Sequence, residues 1–164
     1  FRYVRGGFME QPNYTFVLDL THPSRDLPFA GEEGKLKDVV LAWAIGSTSN
    51  SNTITIVKDG RLYGNGVGQQ DRVGAAKLAI FRADDAANFA DKNISKASLE
   101  NATAYSDSFF PFPDAPEVLI NRGIKTIFAT SGSVNDQKIL EFCKSKGAEL
   151  ITLPDTEARG FYQH

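Results

Sequence analysis

Residues 52–73, with the sequence NTITIVKDGRLYGNGVGQQDRV, carry the clearest structural pattern of this chain. Two β-rich runs, residues 52–57 and 62–67, flank an Asp-Gly turn, and this order is a strong signal for a β-hairpin. Asp71 follows the hairpin and belongs to a residue type that caps the first turn of a helix. The buried face of that helix is predicted from apolar residues at helical spacing, namely Val73, Ala76, Ile80, Ala83 and Ala87. The stretch therefore predicts strand, turn, strand and helix in direct succession.

Further elements are predicted on both sides of this stretch. Apolar residues recur at helical spacing over residues 36–44 and predict a helix of about three turns. Residues 1–11 alternate around Gly6 and Gly7 and predict a strand or a hairpin arm. Residues 21–34 are rich in proline, glycine and charge and predict a surface connection, and residues 91–103 predict a loop or a short helix.

The second half of the chain alternates between helices and strands. Asp114, with Glu117 three residues later, predicts a short helix that begins in a capping box and ends near Gly123. The remaining elements are predicted in the order strand, helix and strand, at residues 125–130, 134–146 and Glu149–Leu153. This alternation predicts a partly parallel sheet covered on both faces, so the fold class is α/β, with a three-layer α/β/α sandwich.

Length and composition limit what the chain can do. Its 164 residues suffice for one well-packed domain over residues 1–164, with the 41% apolar and 23% charged residues of an ordinary globular protein. The net charge of −2 and the lack of a basic stripe argue against nucleic acid as a partner. The longest apolar run, residues 39–45, is far shorter than the ~20 residues of a membrane span. Cys143 is the only cysteine, which excludes an internal disulfide and a cysteine-based zinc site and fits a reducing cytoplasm.

Several residues indicate a ligand site, and each also has a purely structural explanation. The glycines between residues 64 and 68 suit either a phosphate-binding loop or close packing of the backbone. Arg72 lies in a first helical turn, where the macrodipole disfavours a cation by about 0.3–1 kcal/mol, so it meets either a ligand or a surface ion-pair partner. For Asn52 and Asp114 the structural explanations are a turn that bonds its own backbone and a helix cap.

The block of residues 106–114, SDSFFPFPD, places three phenylalanines and two prolines between carboxylates. Such a stiff apolar wall suits a flat heteroaromatic ring, because rigid aromatic side chains give contact area at low entropic cost. Catalytic bases are scarce, since the two histidines are His22 in the proline-rich connection and His164 at the end. The sequence patterns of zinc deaminases and of G-x-S-x-G hydrolases are absent.

Together these motifs resemble AICAR transformylase, the formyl-transfer domain of the bifunctional purine enzyme that also carries IMP cyclohydrolase. The matching segments extend over nearly the whole chain and comprise residues 51–52, 58–60, 64–72, 106–114 and 131–133, with weaker similarity at residues 5–7 and at His164. The family builds this domain from two halves with a cytidine-deaminase-like fold, and the chain resembles the carboxy-terminal half. Because the first residue is Phe1 rather than Met, we expect a piece of a longer polypeptide whose amino-terminal part is missing.

The resemblance implies a reaction and its partners. A formyl group passes from the co-substrate 10-formyltetrahydrofolate to the exocyclic amine of AICAR, as a step of purine nucleotide biosynthesis. Active sites of the family form across a dimer interface, so the resemblance implies a cytoplasmic homodimer. It also implies a monovalent cation such as potassium near the substrate loop, and no zinc.

The same resemblance assigns residues to each ligand. Nucleotide contacts are expected from Asn52, Arg72 and the Phe109 backbone. Folate contacts are expected from Val73, Asp114, Ser133 and Val134, with Asp114 at the polar edge of the pterin. Candidate oxygen ligands of the cation are Ser49, Ser51, Thr53 and Asp107.

Two departures from the family pattern affect catalysis. The family takes its base from a Lys-His pair in the first half, and because this chain has no such pair we expect it to be inactive alone. Asn52 is placed in the catalytic set because its amide can orient or stabilise the reacting groups. The family places an arginine four residues before its final histidine, where this chain has Gly160; either a one-residue shift lets the adjacent Arg159 bind the nucleotide, or phosphate binding has changed.

An alternative function is a non-catalytic nucleotide-binding or scaffold module that keeps the deaminase-like fold. The discriminating feature is whether a first half bearing the Lys-His pair precedes Phe1. A stand-alone deaminase-like hydrolase is excluded by the missing metal ligands.

Overall fold

A five-stranded mixed sheet organises the chain, and a computed structural model describes it over residues 2–10, 16–20 and 32–159. The strands are β1 Arg2–Val4, β2 Gly7–Met9, β3 Ile54–Lys58, β4 Arg61–Gly66, β5 Thr103–Ser106, β6 Thr126–Thr130 and β7 Glu149–Leu153. The helices are α1 Glu33–Gly46, α2 Arg72–Ala90, α3 Asp114–Ile120, α4 Asp136–Ser145 and α5 Asp155–Ala158. Strands β1 and β2 form a separate antiparallel hairpin.

The strand order β4-β3-β5-β6-β7 determines which chain ends meet. Strand β3 is antiparallel to both β4 and β5, whereas β5, β6 and β7 are parallel to one another. Ile54 pairs with Ser106 and with Gly66, so the start of β3 lies between the ends of β5 and β4. We call this side of the sheet, where β5, β6 and β7 also end, the carboxyl edge.

Helices cover both faces of the sheet. Helices α2, α3 and α4 pack on one face, over a core that includes Ile54, Ile56 and Ile127, while α1 and α5 pack on the other, over Val57 and Phe128. Neighbouring residues of one strand enter opposite cores because successive side chains of a strand alternate in direction. The predicted three-layer α/β/α sandwich is confirmed; the cytidine-deaminase-like assignment stays a prediction.

The quoted hairpin and the helix after it form as predicted. The Asp71 side chain accepts a hydrogen bond from Gly74 N at 2.6 Å and caps α2. A Cβ added to Gly64 or Gly66 would lie 2.0 Å from the carbonyl oxygen of Ala79 or Ala75. These two glycines therefore allow β4 to lie directly against the backbone of α2. At both positions the structure favours close packing over a phosphate-binding loop.

Three expectations for the second half are corrected. The capping box at Asp114 is wrong, because Pro113 occupies the N-cap position and, among the described residues, the Asp114 carboxylate accepts only from the adjacent Ala115 N, at 2.9 Å. Helix α4 begins two residues later than predicted, which leaves Val134 in the preceding loop. Strand β5 and the short helix α5 were not predicted.

Some other expectations agree with the structure, and one concerns residues that the structure does not describe. Residues 91–102 contain no helix or strand, and Cys143 is buried in α4, where burial raises the pKa of its thiol to about 11. Most of the expected surface connection, residues 21–31, lies outside the described residues. No helix in the described ranges has both the length and the apolar character needed to cross a membrane.

Replacing Gly66 by alanine is expected to destabilise the fold. The new Cβ would overlap the Ala75 carbonyl at 2.0 Å, and neither backbone can move away without breaking the contact between β4 and α2. We expect a loss of about 3 kcal/mol in the free energy of unfolding, which lowers the melting temperature by about 6–12 °C in a chain of this size. Thermal unfolding followed by circular dichroism measures this change.

Gly34→Ala is the matched control for this variant. Gly34 lies in α1 with no atom within 4 Å of the added Cβ. Since glycine is a poor helix former, this variant should melt at the same temperature as the unsubstituted chain or higher. Equal melting of the Gly66 variant and the unsubstituted chain would contradict the close packing.

Candidate functional site

The candidate site lies at the carboxyl edge of the sheet, where loops from separate parts of the chain meet. In open α/β sheets, ligands bind in the crevice outside the carboxyl ends of the strands. Four segments with predicted site residues lie at this edge, namely residues 49–53 before β3, residues 67–73 at the start of α2, residues 107–114 after β5, and residues 131–135 after β6. Arg159 joins them from the end of α5.

The Asp107 carboxylate is the centre of this site. It is fully buried, and its Oδ1 accepts from Thr53 N at 2.8 Å and from Nη1 of Arg72. The backbone carbonyl of the same residue accepts from Nη1 of Arg159. The structure thus brings together four predicted site residues, which we call the Asp107 cluster: Thr53, Arg72, Asp107 and Arg159.

Arg72 is a largely buried cation of the cluster, and some of its N–H groups make no hydrogen bond to the described residues. Its side chain is 11% exposed. Burial lowers the pKa of the guanidinium from its ordinary value, and the negative charge of Asp107 opposes that effect. The ion-pair partner is a buried carboxylate rather than the surface residue considered from the sequence. Among the described residues, Arg72 makes its side-chain hydrogen bond through Nη1 alone, so Nε and Nη2 can still donate to a ligand.

Arg159 is held by two elements at once. Its guanidinium donates to the Asp107 carbonyl, and the Nε1 of Trp43 donates to the carbonyl oxygen of the neighbouring Ala158 at 2.6 Å. Arg159 is buried at the end of α5. Gly160, the position where the family places its arginine, lies outside the described residues, as do His22 and His164.

Asn52 joins two loops of the site. Its Nδ2 donates to the carbonyl oxygen of Gln69 at 2.8 Å, and the backbones of the two residues exchange hydrogen bonds of 3.2 and 3.1 Å. Asn52 therefore bonds a residue seventeen positions away, not its own turn, and it precedes β3 rather than beginning it. The Ser51–Asn52 peptide bond is cis. This pairing places the Asn52 side chain next to the loop that leads into α2.

The aromatic block and the loop after β6 form the outer part of the site. Phe110 is buried in the core, whereas Phe112 is 62% exposed and Phe109 is half-buried, so the expected wall consists of two rings rather than three. A Cβ on Gly132 would lie 3.8 Å from the Phe109 ring, and Asn135 Nδ2 donates to the Pro111 carbonyl at 2.9 Å. The block is thus fixed against the loop.

Asp136 shapes this loop. Its carboxylate accepts from Gly132 N at 2.7 Å and from Ser133 N at 3.2 Å. Val134 at the loop tip is fully exposed, and Asp114 across the block is exposed as well. The sequence reasoning overlooked Asp136, although a serine three residues before an acidic residue at a helix start is a capping signal.

Among the four candidate cation ligands, hydrogen bonds connect one pair directly. The Thr53 backbone contacts Asp107, but within the described residues no hydrogen bond joins Ser49 or Ser51 to either of them. The Ser49 hydroxyl donates to Ile45 O and accepts from Asn65, and Ser51 is exposed. Asp107 Oδ2 is buried and has no hydrogen-bond partner among the described residues. The described residues hold no group of three His, Cys, Asp or Glu side chains placed to bind a metal ion.

A separate pocket of about 410 Å³ lies at the opposite end of β4. The start of β4, the second half of α2 and residues 94–98 form its walls, which are mostly alanine and other apolar side chains. None of the predicted site residues lines this pocket. The predicted ligand residues and the pocket therefore occupy different parts of the molecule.

Comparison with known proteins identifies relatives of this chain. The sequence profile of the AICARFT/IMPCHase bienzyme family matches residues 1–82, which is half of the chain. The chain is 33% identical over 152 residues to a bifunctional purine biosynthesis protein PurH of Cutibacterium acnes, covering 91% of the chain. It is 32% identical over 148 residues to PurH proteins of Bacillus thuringiensis and Bacillus cereus, covering 90% of the chain.

The matches also define how much of these relatives the chain represents. It spans 27% of the length of each of the three PurH proteins. Half of the chain matches the family profile, and nine-tenths of it aligns with members of the family. The chain belongs to the AICARFT/IMPCHase bienzyme family.

Proposed function

We propose that this chain supplies part of a site that transfers a formyl group from 10-formyltetrahydrofolate to the amine of AICAR in purine nucleotide biosynthesis. The observation that carries the proposal is the largely buried Arg72 side chain, which is fixed at the carboxyl edge with Nε and Nη2 still able to donate. A guanidinium in that state suits an anionic ligand, because its planar fork matches carboxylate and phosphate groups. Membership of the family and the purine biosynthesis function named for the PurH relatives support the choice of reaction.

The nucleotide occupies the inner part of the site in this proposal. Arg72 and Arg159 supply positive charge, and Asn52 supplies an amide at the loop leading to α2. The Phe109 backbone makes no hydrogen bond within the described residues, so its N–H and carbonyl are open to a ligand. These are four contact points on one side of a small ligand, and together they fix its orientation.

The folate occupies the outer part of the site. Val73, Ser133 and Val134 offer an apolar and hydroxyl-bearing surface. The Asp114 carboxylate uses one oxygen on Ala115 N and keeps the other for a hydrogen-bond donor such as the polar edge of a pterin. Phe112 lies between Asp107 and Asp114 in the sequence, and its exposed ring can stack on a flat heteroaromatic ring.

The chemistry requires a base that the described residues do not supply. The AICAR amine is a poor nucleophile because its lone pair is delocalised into the ring and the carboxamide. Attack on the formyl carbon needs a group that takes the amine proton and donors that stabilise the oxyanion. No histidine lies in the described part of the chain, since both histidines fall outside it. Asn52 orients the reacting groups, and the base comes from the amino-terminal half of the polypeptide.

A monovalent cation, potassium or a similar ion, completes the proposal. Asp107 Oδ2 fits such an ion, because it is a buried oxygen without a hydrogen-bond donor and lies next to Thr53. A bound cation would neutralise part of the charge on Asp107 and steady the loop before β3. We further propose that the protein acts in the cytoplasm as a homodimer whose sites form between subunits.

Removing the Arg72 side chain is expected to weaken AICAR binding. A hydrogen bond to a charged group contributes about 1.5–3 kcal/mol, so Arg72→Ala should raise the dissociation constant about 10–100-fold. Isothermal titration calorimetry of the 164-residue chain with AICAR measures this change. Lys77→Ala, an exposed position one turn further along α2, is the matched control and should leave the affinity unchanged. Unchanged affinity of the Arg72 variant would contradict the assignment.

Asp114→Asn is expected to weaken folate binding with little effect on stability. The Asp114 side chain is exposed and does not cap α3, so its loss costs at most the helix-dipole contribution of about 0.3–1 kcal/mol. Fluorescence titration with 10-formyltetrahydrofolate should show a dissociation constant raised several-fold, while Glu117→Gln in the same helical turn leaves it unchanged. Parallel losses of melting temperature and affinity would mean that Asp114 is only structural.

The chain alone is expected to bind AICAR and folate but not to turn them over. Removal of a general base typically costs about 10²–10⁴-fold in rate, and the Lys-His pair of the family is missing here. A formyl-transfer assay with both substrates at saturation tests this. Turnover by the isolated chain would show that it carries its own base, and binding of nucleotide without folate would favour the alternative, a non-catalytic nucleotide-binding module.

A further inference from the structure

We infer that the Asp107 carboxylate is a positioning residue, which acts on the nucleotide by aiming the Arg72 guanidinium. The inference rests on the proposed function and extends it to a residue that the sequence indicated only as a cation ligand. Asp107 does not need to touch the nucleotide for this role. Its contribution is to fix which nitrogen atoms of Arg72 are turned inward and which remain for the ligand.

The carboxylate is a rigid anchor because it continues the pairing of β3 with β5. The last pair of that ladder is Ile54 with Ser106, and the next residues, Thr53 and Asp107, are joined by Asp107 N to Thr53 O at 3.2 Å. Thr53 N then donates to the Asp107 side chain at 2.8 Å. Both the backbone and the side chain of Asp107 are therefore fixed by a central strand of the sheet.

Arg72 needs such an anchor because its own helix does not hold it. It is the first residue of α2, where the helix dipole disfavours a cation, and Asp107 Oδ1 is the only hydrogen-bond partner of its side chain among the described residues. The contact turns Nη1 toward the sheet. A planar guanidinium bound at one end has its remaining N–H groups in known directions, so Nε and Nη2 are presented as a pair.

The same residue also holds the second arginine, through a different group. Arg159 donates to the Asp107 carbonyl oxygen, which no side-chain substitution removes. The positive charge of Arg159 is close enough to lower the pKa of Arg72, so two like charges lie near each other around one carboxylate. Substitution of the Asp107 side chain therefore releases Arg72 while leaving the Arg159 contact in place.

A competing role for Asp107 predicts the opposite change in ligand affinity when its carboxylate is removed. If the carboxylate merely neutralised Arg72, it would compete with an anionic ligand, and its removal would tighten binding. If it aims Arg72, its removal weakens binding, because the freed side chain must be ordered again by the ligand. The direction of the change in affinity therefore separates aiming from charge competition.

A double-mutant cycle with AICAR as the titrant tests the inference. Asp107→Asn should raise the dissociation constant about tenfold in the unsubstituted chain and less than about twofold in the Arg72→Ala background, since the effect passes through Arg72. Tighter binding, or an undiminished effect without Arg72, would overturn the inference while Arg72→Ala still supports the proposed function. Failure of the unsubstituted chain to bind AICAR would instead overturn the proposed function itself.

Two further variants separate positioning from folding. Arg72→Lys keeps the charge next to Asp107 and the fold, but its single ammonium cannot serve the carboxylate and present a fork, so AICAR binding should fall about tenfold. Wild-type affinity of this variant would overturn the inference even if the Asp107 variant failed to fold. Asp84→Asn is the matched control, because it breaks a second Asp–Arg pair of the described residues, with Arg122 at 2.8 Å, and should lower stability without changing the affinity.

The guanidinium itself gives a spectroscopic signature that requires no ligand. In the unsubstituted chain, rotation of the Arg72 guanidinium is restricted by Asp107, so its Nη nitrogens should give separate ¹⁵N resonances. In Asp107→Asn the separation should be lost or reduced, whereas in Asp84→Asn it should persist. Free rotation in the unsubstituted chain would contradict the anchoring contact.

Discussion

The ion pair between Asp107 and Arg72 is the interaction on which the carboxyl edge of the sheet depends. A buried charge is costly unless it is paired and hydrogen-bonded, and removing one partner of such a pair typically costs about 3–5 kcal/mol. Asp107 also accepts hydrogen bonds from Thr53 N, through its carboxylate, and from Arg159, through its backbone carbonyl. Loss of the Asp107–Arg72 pair would therefore affect three other segments of the chain that meet at Asp107. Fold and candidate site are therefore stabilised by the same few hydrogen bonds.

A second constraint places Arg72 where Asp107 can reach it. Gly64 and Gly66 allow β4 to pack directly on the backbone of α2. The turn that connects β4 to α2 is therefore short, and its geometry is fixed. Loop residues 50–52 pair with residues 68–69, which closes the gap between the start of β3 and the start of α2. The first residue of α2 is thereby brought beside the ladder of β3 and β5. The close packing of β4 on α2 reaches the end of β4 at Gly66, next to the charge pair, and so helps to hold Arg72 beside Asp107.

Sequence patterns predicted the parts of this arrangement that are local. The hairpin, the cap of α2 and strand β7 follow from turn chemistry, capping and apolar periodicity, which act over a few residues. Strand β5 was not found because its four residues, TAYS, are buried on both faces and show no alternation. The four residues of the Asp107 cluster were expected at the site, but their contacts with one another were not predicted, because these contacts join residues 54, 35 and 52 positions apart and only the strand order brings them together.

The two parts of the candidate site differ in how freely they can change. Thr53, Asp107 and Arg159 are buried, and Arg72 is nearly so, hence a substitution among the proposed nucleotide contacts also disturbs the charge balance of the core. Asp114 and Val134 are exposed and make few contacts, so the outer part can vary at little cost in stability. A binding surface that is rigid on one side and tolerant on the other suits a chain that holds one ligand closely and accepts the second, with the base, from outside itself. The division of labour proposed for this chain, binding here and proton transfer elsewhere, agrees with this asymmetry: the carboxylate at the centre of the site, Asp107, is buried and engaged by Arg72, and the described residues include no histidine.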